Sequence, residues 1–389
     1  MGIRERTMMA GRISVRRPDS MLLPVHGGDI DEVARAYGLS TDRLIDFSAN
    51  INPMGPPRRA LLRLARDATN RDGLTQYPDP TYGELRRALA AVLHVPATAV
   101  TIANGSVALI GAVIRTIAPS ECLLVTPSFA EYPRALQASR CRMRCLPLDA
   151  ARRFDLDADV LIDALTKHRP PMCVLTNPHN PSGALTPRPQ MLRVVDRSLR
   201  TNTRLVVDEA FMDYAPTETL VSEAVQSEHL VVLRSLTKFY GMPALRVGYA
   251  VSSPRMAATI VTQLPPWPVT TLAASAAAEA VQDQEYARRA LVSVAHQRRW
   301  LSQALGTIGV NVYPSAANFL LLRLPTTAPT SARLRARLIT DAGVIVRDCR
   351  SFDGLSNGRF IRVAVRRRDE NEQLVRALRS VLGGAAHAR

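Results

Sequence analysis

Leu230-Val231-Val232-Leu233-Arg234-Ser235-Leu236-Thr237-Lys238 runs from an apolar strand-like segment into two hydroxyl residues and a lysine. The chain carries fifty Lys and Arg residues, and lysine stands at two positions alone, Lys167 and Lys238. A composition that uses arginine almost everywhere yet keeps lysine at the end of a strand signals a requirement for an amine there. A guanidinium stays protonated, whereas a partly desolvated amine loses its proton and attacks carbonyl carbon.

Outward from this stretch, short β-branched runs alternate with longer amphipathic segments over residues 101–251, the pattern of an α/β domain with a mostly parallel sheet. Each run ends in polar residues. Val100-Thr101-Ile102 leads into Asn104-Gly105-Ser106 and an apolar helix over 107–117, and Leu123-Leu124-Val125 leads into Pro127-Ser128-Phe129. Cys173-Val174-Leu175 leads into Thr176-Asn177-Pro178, and Leu205-Val206-Val207 into Asp208-Glu209. In open α/β sheets ligands bind outside the carboxyl ends of the strands, so these five segments are expected to face one crevice.

The character changes beyond Pro265-Pro266-Trp267-Pro268. A helical region is expected over 272–305, strands over 319–324, 344–347 and 360–365, and a helix over 332–342. A last helix is expected to start at Asp369-Glu370 and stop before Gly383-Gly384. The division read from this is a large domain over 54–265 and a smaller α+β domain formed by 21–53 with 266–389. Residues 1–20 are polar and Arg-rich without periodicity, and read as a disordered extension.

At 389 residues the chain exceeds one ordinary domain, in keeping with about two. The net charge of +16 comes from scattered arginines with few aromatics, a solvated surface and not a nucleic-acid footprint. No apolar stretch reaches the roughly 20 residues of a membrane span. Five cysteines without a recurring metal spacing point to a reduced cytoplasm and to no metal site.

The residues at the strand ends have individual chemistry. Gly105-Ser106-Val107 at a helix start offers free N–H groups and a positive dipole end, which suit a phosphate. Arg246, eight residues after Lys238, suits a bidentate clamp on the same phosphate. Asp208 ends an apolar run, where an unpaired carboxylate is costly, so it needs a cationic or hydrogen-bonding partner. A protonated pyridine nitrogen is one candidate and an arginine another. Asn177 in Asn177-Pro178-His179-Asn180-Pro181-Ser182-Gly183 suits donation to a cofactor oxygen, and Phe129 offers a flat face for stacking.

Taken together, Asn177 to Gly183, Asp208-Glu209-Ala210-Phe211, Ser235-Leu236-Thr237-Lys238 and Arg246 resemble the fold type I pyridoxal phosphate enzymes, the aspartate aminotransferase-like superfamily. The resemblance implies a large domain with a mostly parallel sheet of the seven-stranded type and pyridoxal 5'-phosphate as cofactor. It implies that Lys238 bonds to the cofactor and shuttles protons, and that Asp208 partners the pyridine nitrogen. Gly105, Ser106, Val107, Ser235 and Arg246 fall at phosphate-cup positions, and Phe129 matches the stacking aromatic. Tyr77, in Gln76-Tyr77-Pro78-Asp79, is similar to the tyrosine that crosses to a neighbouring subunit's cofactor phosphate, which implies a homodimer.

A narrower likeness lies in His26-Gly27-Gly28-Asp29 and in Asp46-Phe47-Ser48-Ala49-Asn50-Ile51-Asn52-Pro53-Met54-Gly55, which resemble the threonine-phosphate decarboxylase family of cobalamin biosynthesis. Phe211 stands where typical aminotransferases carry a tyrosine, and also matches that family; Asp29 departs from it, since relatives often carry Asn. The likeness implies decarboxylation of O-phospho-L-threonine to (R)-1-aminopropan-2-ol O-phosphate, with His26, Gly27, Asn50, Asn177, Arg347 and Arg362 contacting the substrate. Arg347 and Arg362 sit on strand-like segments and suit two anions, phosphate and carboxylate. Histidinol-phosphate aminotransferase activity is the alternative, and a ligand-sensing DNA-binding regulator is a further one.

Overall fold

The computed structural model describes residues 26–383; the expected extension over 1–20 lies outside the described residues. Seven strands form the main sheet in the order Val100–Asn104, Val247–Val251, Leu230–Ser235, Arg204–Asp208, Met172–Thr176, Glu121–Thr126 and Arg142–Pro147. Val247–Val251 runs antiparallel to both of its neighbours, and the other pairings are parallel. The central strands are apolar through their middles because both faces are covered. Alternation of side chains then divides each strand between two cores. Cys173, Leu175, Leu205, Val207 and Val232 enter one core. Val174, Val206, Val231 and Leu233 enter the other, against Leu109, Ile110 and Val113 of the helix Gly105–Ile117.

A second sheet holds four antiparallel strands in the order Arg347–Asp348, Phe360–Ala364, Phe319–Arg323 and Asn311–Val312. The helices Gln284–Gly306, Ser331–Ala342 and Arg368–Gly383 accompany it. Ile45–Asp46 pairs in parallel with Val344–Ile345, which fastens the N-terminal segment to the C-terminal one.

Three local expectations change. The single strand over 344–347 is two strands broken at Val346, because Val344–Ile345 pairs with Ile45–Asp46 while Arg347–Asp348 joins the four-stranded sheet. The helical region over 272–305 is two helices, Thr271–Gln282 and Gln284–Gly306. Asp283 sits between them and its carboxylate accepts from Tyr286 N, capping the second. The last helix takes in Gly383. Among the described residues no helix is long and apolar enough to cross a membrane.

Candidate active site

The carboxyl ends of the main-sheet strands and the start of the helix Gly105–Ile117 border a cavity of about 590 Å³, closed on the other side by the N-terminal segment and by Arg347 and Arg362. Lys238 lies three residues beyond the strand Leu230–Ser235. Its turn is pinned by Asn52, whose backbone N–H donates to Lys238 O (3.0 Å) and whose side-chain Nδ2 donates to Phe239 O (2.8 Å). Burial, followed by the nearby Arg362 and Arg246 charges, pulls the Lys238 amine down to about 8, with Asp208 acting in the opposite direction. Some exposure remains because the side chain opens on the cavity. A lysine in this state is a competent nucleophile near neutral pH.

Asp208 is 4% exposed at the end of its strand. Ala210 N donates to Oδ1 (3.0 Å) and the Tyr132 hydroxyl donates to Oδ2 (2.9 Å). Burial raises the carboxyl above its ordinary range, while those two donors and Lys238 work to keep it ionised. Burial also pushes the Tyr132 phenol well up, so it remains a donor. Behind the site, Arg234 is buried between Glu209 Oε2 (3.0 Å) and Asp213 Oδ1 (2.8 Å), an ion-pair cluster joining the ends of two adjacent strands.

At the other end of the cavity Gly105 opens its helix at φ +70°, and a Cβ there would lie 3.0 Å from Arg246 Nη2. A Cβ on Gly248 would lie 2.6 Å from Gly105 C and from Ser106 N, so this approach of backbone to backbone admits glycine alone without a shift. Ser106, Val107, Ser235, Thr237 and Arg246 line the same end, with Ser235 Oγ 2.8 Å from Thr237 Oγ1. Phe129 lines the wall, its ring centroid 5.5 Å from that of His26. The pyridoxal phosphate implied by the sequence resemblance fits this donor set: a helix start, hydroxyls and Arg246 for its phosphate, Asp208 for a protonated ring nitrogen, and Lys238 for its aldehyde.

The opposite wall carries the second set. The Arg362 guanidinium is buried and held by neutral oxygens, donating to Asn180 Oδ1 (2.6 Å) and to Ser48 O (3.2 Å), over the Phe319 ring at 5.2 Å. Its Nε has no partner among the described residues. Burial, with Arg347 adding to it, brings its pKa down to about 10. Arg347 donates to Ser351 Oγ (2.6 Å) and to His26 O (3.4 Å). Asn50 is buried in the wall, and its Oδ1 has no partner among the described residues. His26 and Gly27 complete this side.

Two of the expected site residues are not brought to the cavity. Asn177 is not among the residues lining the cavity: its Nδ2 donates to Thr186 O and its Oδ1 accepts from Thr186 N, both at 2.9 Å, which leaves one Nδ2 hydrogen for a further acceptor. Asn180, three residues on in the same motif, lines the cavity instead. Tyr77 is 78% exposed and stacks on Trp267 at 4.4 Å, outside the cavity of its own chain. Sequence reasoning missed Asn180, Tyr132 and Glu131. The first lay within a motif already singled out; the other two sit at the start of the helix Glu131–Ala138 with no local signal beyond their residue types.

The family model for aminotransferase class I and II matches residues 42–378. The chain is 40% identical over 369 residues to the threonine-phosphate decarboxylase of Salmonella typhimurium, covering 93% of this chain and 98% of that protein. Among solved structures, L-threonine-O-3-phosphate decarboxylase from Porphyromonas gingivalis aligns with a TM-score of 0.76 at 26% identity, over 87% of this chain and 99% of that one. Histidinol-phosphate aminotransferase from Sinorhizobium meliloti, in complex with pyridoxal-5'-phosphate, shares the fold with a TM-score of 0.82 at 23% identity, over 94% and 98%. With its seven-stranded sheet, its strand-end lysine and aspartate and this span of similarity, the chain belongs to the aminotransferase class I and II family.

Proposed function

We propose that the protein decarboxylates O-phospho-L-threonine, releasing CO2 and (R)-1-aminopropan-2-ol O-phosphate, with pyridoxal 5'-phosphate as cofactor, in the synthesis of cobalamin. The observation that carries this reading is the pair of guanidiniums, Arg347 and Arg362, in the wall of the cavity that holds Lys238. Two arginines suit a substrate with two anionic ends, and a phospho-amino acid has them. The 40% identity to a threonine-phosphate decarboxylase supports the same choice, as does Phe211, which puts an apolar ring into the cavity wall against Phe319 at 4.9 Å.

When bound, pyridoxal 5'-phosphate supplies the electron sink into which the Cα–carboxylate bond breaks. The start of the helix Gly105–Ile117, Ser106, Ser235 and Arg246 would hold its phosphate, and Asp208 would compensate a protonated ring nitrogen. Arg347 and Arg362 fix the two anionic ends of the substrate, and with them the orientation of the bond that breaks. Asn180 and Ser48 O hold the Arg362 guanidinium in place. After CO2 leaves, Lys238 Nζ delivers the proton that Cα takes up. The reading includes a homodimer in which the exposed Tyr77 reaches the phosphate site of the neighbouring subunit. It is also that of a cytoplasmic enzyme, in keeping with five cysteines that form no disulfide.

The test is to incubate the cofactor-loaded protein with O-phospho-L-threonine and no keto acid, and to quantify CO2 and aminopropanol phosphate. Equal amounts of both over many turnovers are expected. Absence of both, with turnover of histidinol phosphate once 2-oxoglutarate is added, would overturn the reading in favour of an aminotransferase.

A further inference from the structure

The segment 48–55 is bonded to both sides of the cavity. Near its start Ser48 O accepts from Arg362 Nη2 (3.2 Å) and Asn50 O accepts from Asn318 Nδ2 (3.0 Å), which fixes this part to the wall that carries the guanidiniums. Asn52, two residues on, is buried behind the cavity lining and faces the turn that bears Lys238. Its backbone N–H donates to Lys238 O, and its Nδ2 donates both to Phe239 O and to the Tyr286 hydroxyl (3.1 Å). Its Oδ1 accepts from Met54 N (3.1 Å). With every donor engaged, Asn52 has none to offer a ligand, so any effect on the reaction passes through the turn.

The far end of the turn is held from the same segment. Tyr286, buried in the first turn of the helix Gln284–Gly306, donates its hydroxyl hydrogen to Gly55 O (2.7 Å). Gly55 lies against Gly241, where φ is +61° and a Cβ would stand 2.7 Å from Gly55 C. The turn over 238–241 is thus clamped by Asn52 at one end and Gly55 at the other, and both clamps meet at the Tyr286 hydroxyl. Lysine carries its amine on a flexible four-carbon stem, so the backbone from which the stem starts sets where the amine can reach. A misplacement of about 1 Å in a reacting group can cost a hundredfold in rate.

We propose that Asn52 is a positioning residue for Lys238: it ties the turn of the lysine to the segment that carries Asn50 and accepts from Arg362, and so sets the amine relative to the wall that binds the anions of the substrate. This rests on the reading above, in which Lys238 delivers the proton to Cα. Asn52 touches neither cofactor nor reacting atoms.

The experiment compares wild type, Asn52→Ala, Tyr286→Phe and Val381→Ala. Cofactor-free protein is acetylated competitively across a pH series, with Lys238 and the exposed Lys167 read peptide by peptide, and kcat and KM for O-phospho-L-threonine are measured on the cofactor-loaded enzyme. Val381 is buried in the helix Arg368–Gly383, so its truncation supplies a loss of stability away from the turn. Asn52→Ala is expected to lower kcat between about tenfold and a hundredfold. KM is expected to stay within about threefold, because Ser48 O and Asn50 O keep their own bonds. The Lys238 labelling midpoint is expected to move up by about half a unit or more as the loosened turn admits water to the amine, with Lys167 unchanged. Tyr286→Phe, which keeps the bonds to Lys238 O and Phe239 O, is expected to shift kcat and midpoint in the same directions by less. Val381→Ala is expected to lower the melting temperature and leave kcat and midpoint at wild-type values. Wild-type kcat and midpoint in folded Asn52→Ala, or in Tyr286→Phe where Asn52→Ala does not fold, would overturn the proposal, as would a Val381→Ala that moves both as far as Asn52→Ala. If wild type does not turn over O-phospho-L-threonine, the functional reading falls, while the labelling, which uses no substrate, still decides the role of Asn52.

Discussion

The protonation state of Lys238 is open to a direct measurement, because the chain has two lysines. Burial and the Arg362 and Arg246 charges bring its amine from 10.5 to about 8. That displacement corresponds to about 3 kcal/mol against the charged form, at ~1.36 kcal/mol per unit. At pH 7.5 about a quarter of the molecules then carry the neutral amine, against about one in a thousand for an ordinary lysine. Competitive acetylation of the cofactor-free protein, read peptide by peptide in a mass spectrometer, reports both amines at once, with the exposed Lys167 as internal reference. Labelling of Lys238 should rise with pH through a midpoint near 8. Asp208 favours the protonated amine, so Asp208→Asn should move the midpoint lower. The same linkage has a sign in stability. The folded state binds fewer protons than the unfolded chain between about 8 and 10.5, so cofactor-free protein should gain stability as pH rises through that window. A Lys238 midpoint near 10.5, or a midpoint that rises in Asp208→Asn, would refute the reasoning.

Two further substitutions probe the floor of the site. Gly248→Ala sets a Cβ 2.6 Å from the backbone of Gly105 and Ser106, so the helix start must move; cofactor affinity in equilibrium dialysis should fall at least tenfold, about 1.4 kcal/mol, and an unchanged dissociation constant would count against the phosphate cup. Tyr132→Phe removes the donor to Asp208 Oδ2 without changing the packing volume greatly; leaving that buried oxygen short of a partner costs about 1–3 kcal/mol, expected as weaker cofactor retention and a lower melting temperature, and wild-type values for both would show that the bond is idle.

The sheet was legible because its strands are buried on both faces and read as apolar runs, and because each run ends in residues that a plain strand end does not need. Asp208 and Lys238 stood out for opposite reasons: one is a charge where charge is costly, the other a lysine where the chain elsewhere uses arginine. The place of Asn180 in the cavity lining was not legible in the same way. Both asparagines sit in one turn-rich motif, and which of them is spent on the Thr186 backbone depends on how that loop folds back on itself. The break at Val346 is likewise set by partners distant in sequence, Ile45–Asp46 for one half and Phe360–Ala364 for the other. Tyr132 and Glu131 became visible only when a helix in one layer brought them against residues about eighty and a hundred positions away.

The same physical pressure acts on the cations of the cavity and yields two kinds of group. Burial is the largest cause of the displacement at Arg362 as at Lys238. Arg362 comes down from the ordinary guanidinium range to about 10, so at neutral pH it remains a cation able to hold an anion. Lys238 starts at 10.5 and comes down to about 8, so at neutral pH it exchanges between a nucleophile and an acid. A lysine at 362 under similar burial would share its proton with solvent in the working range and release the anion part of the time, and an arginine at 238 would never attack. A chain that uses arginine at forty-eight of its fifty basic positions, fifty less the two lysines, therefore cannot extend that preference to a position whose proton is to exchange near neutral pH.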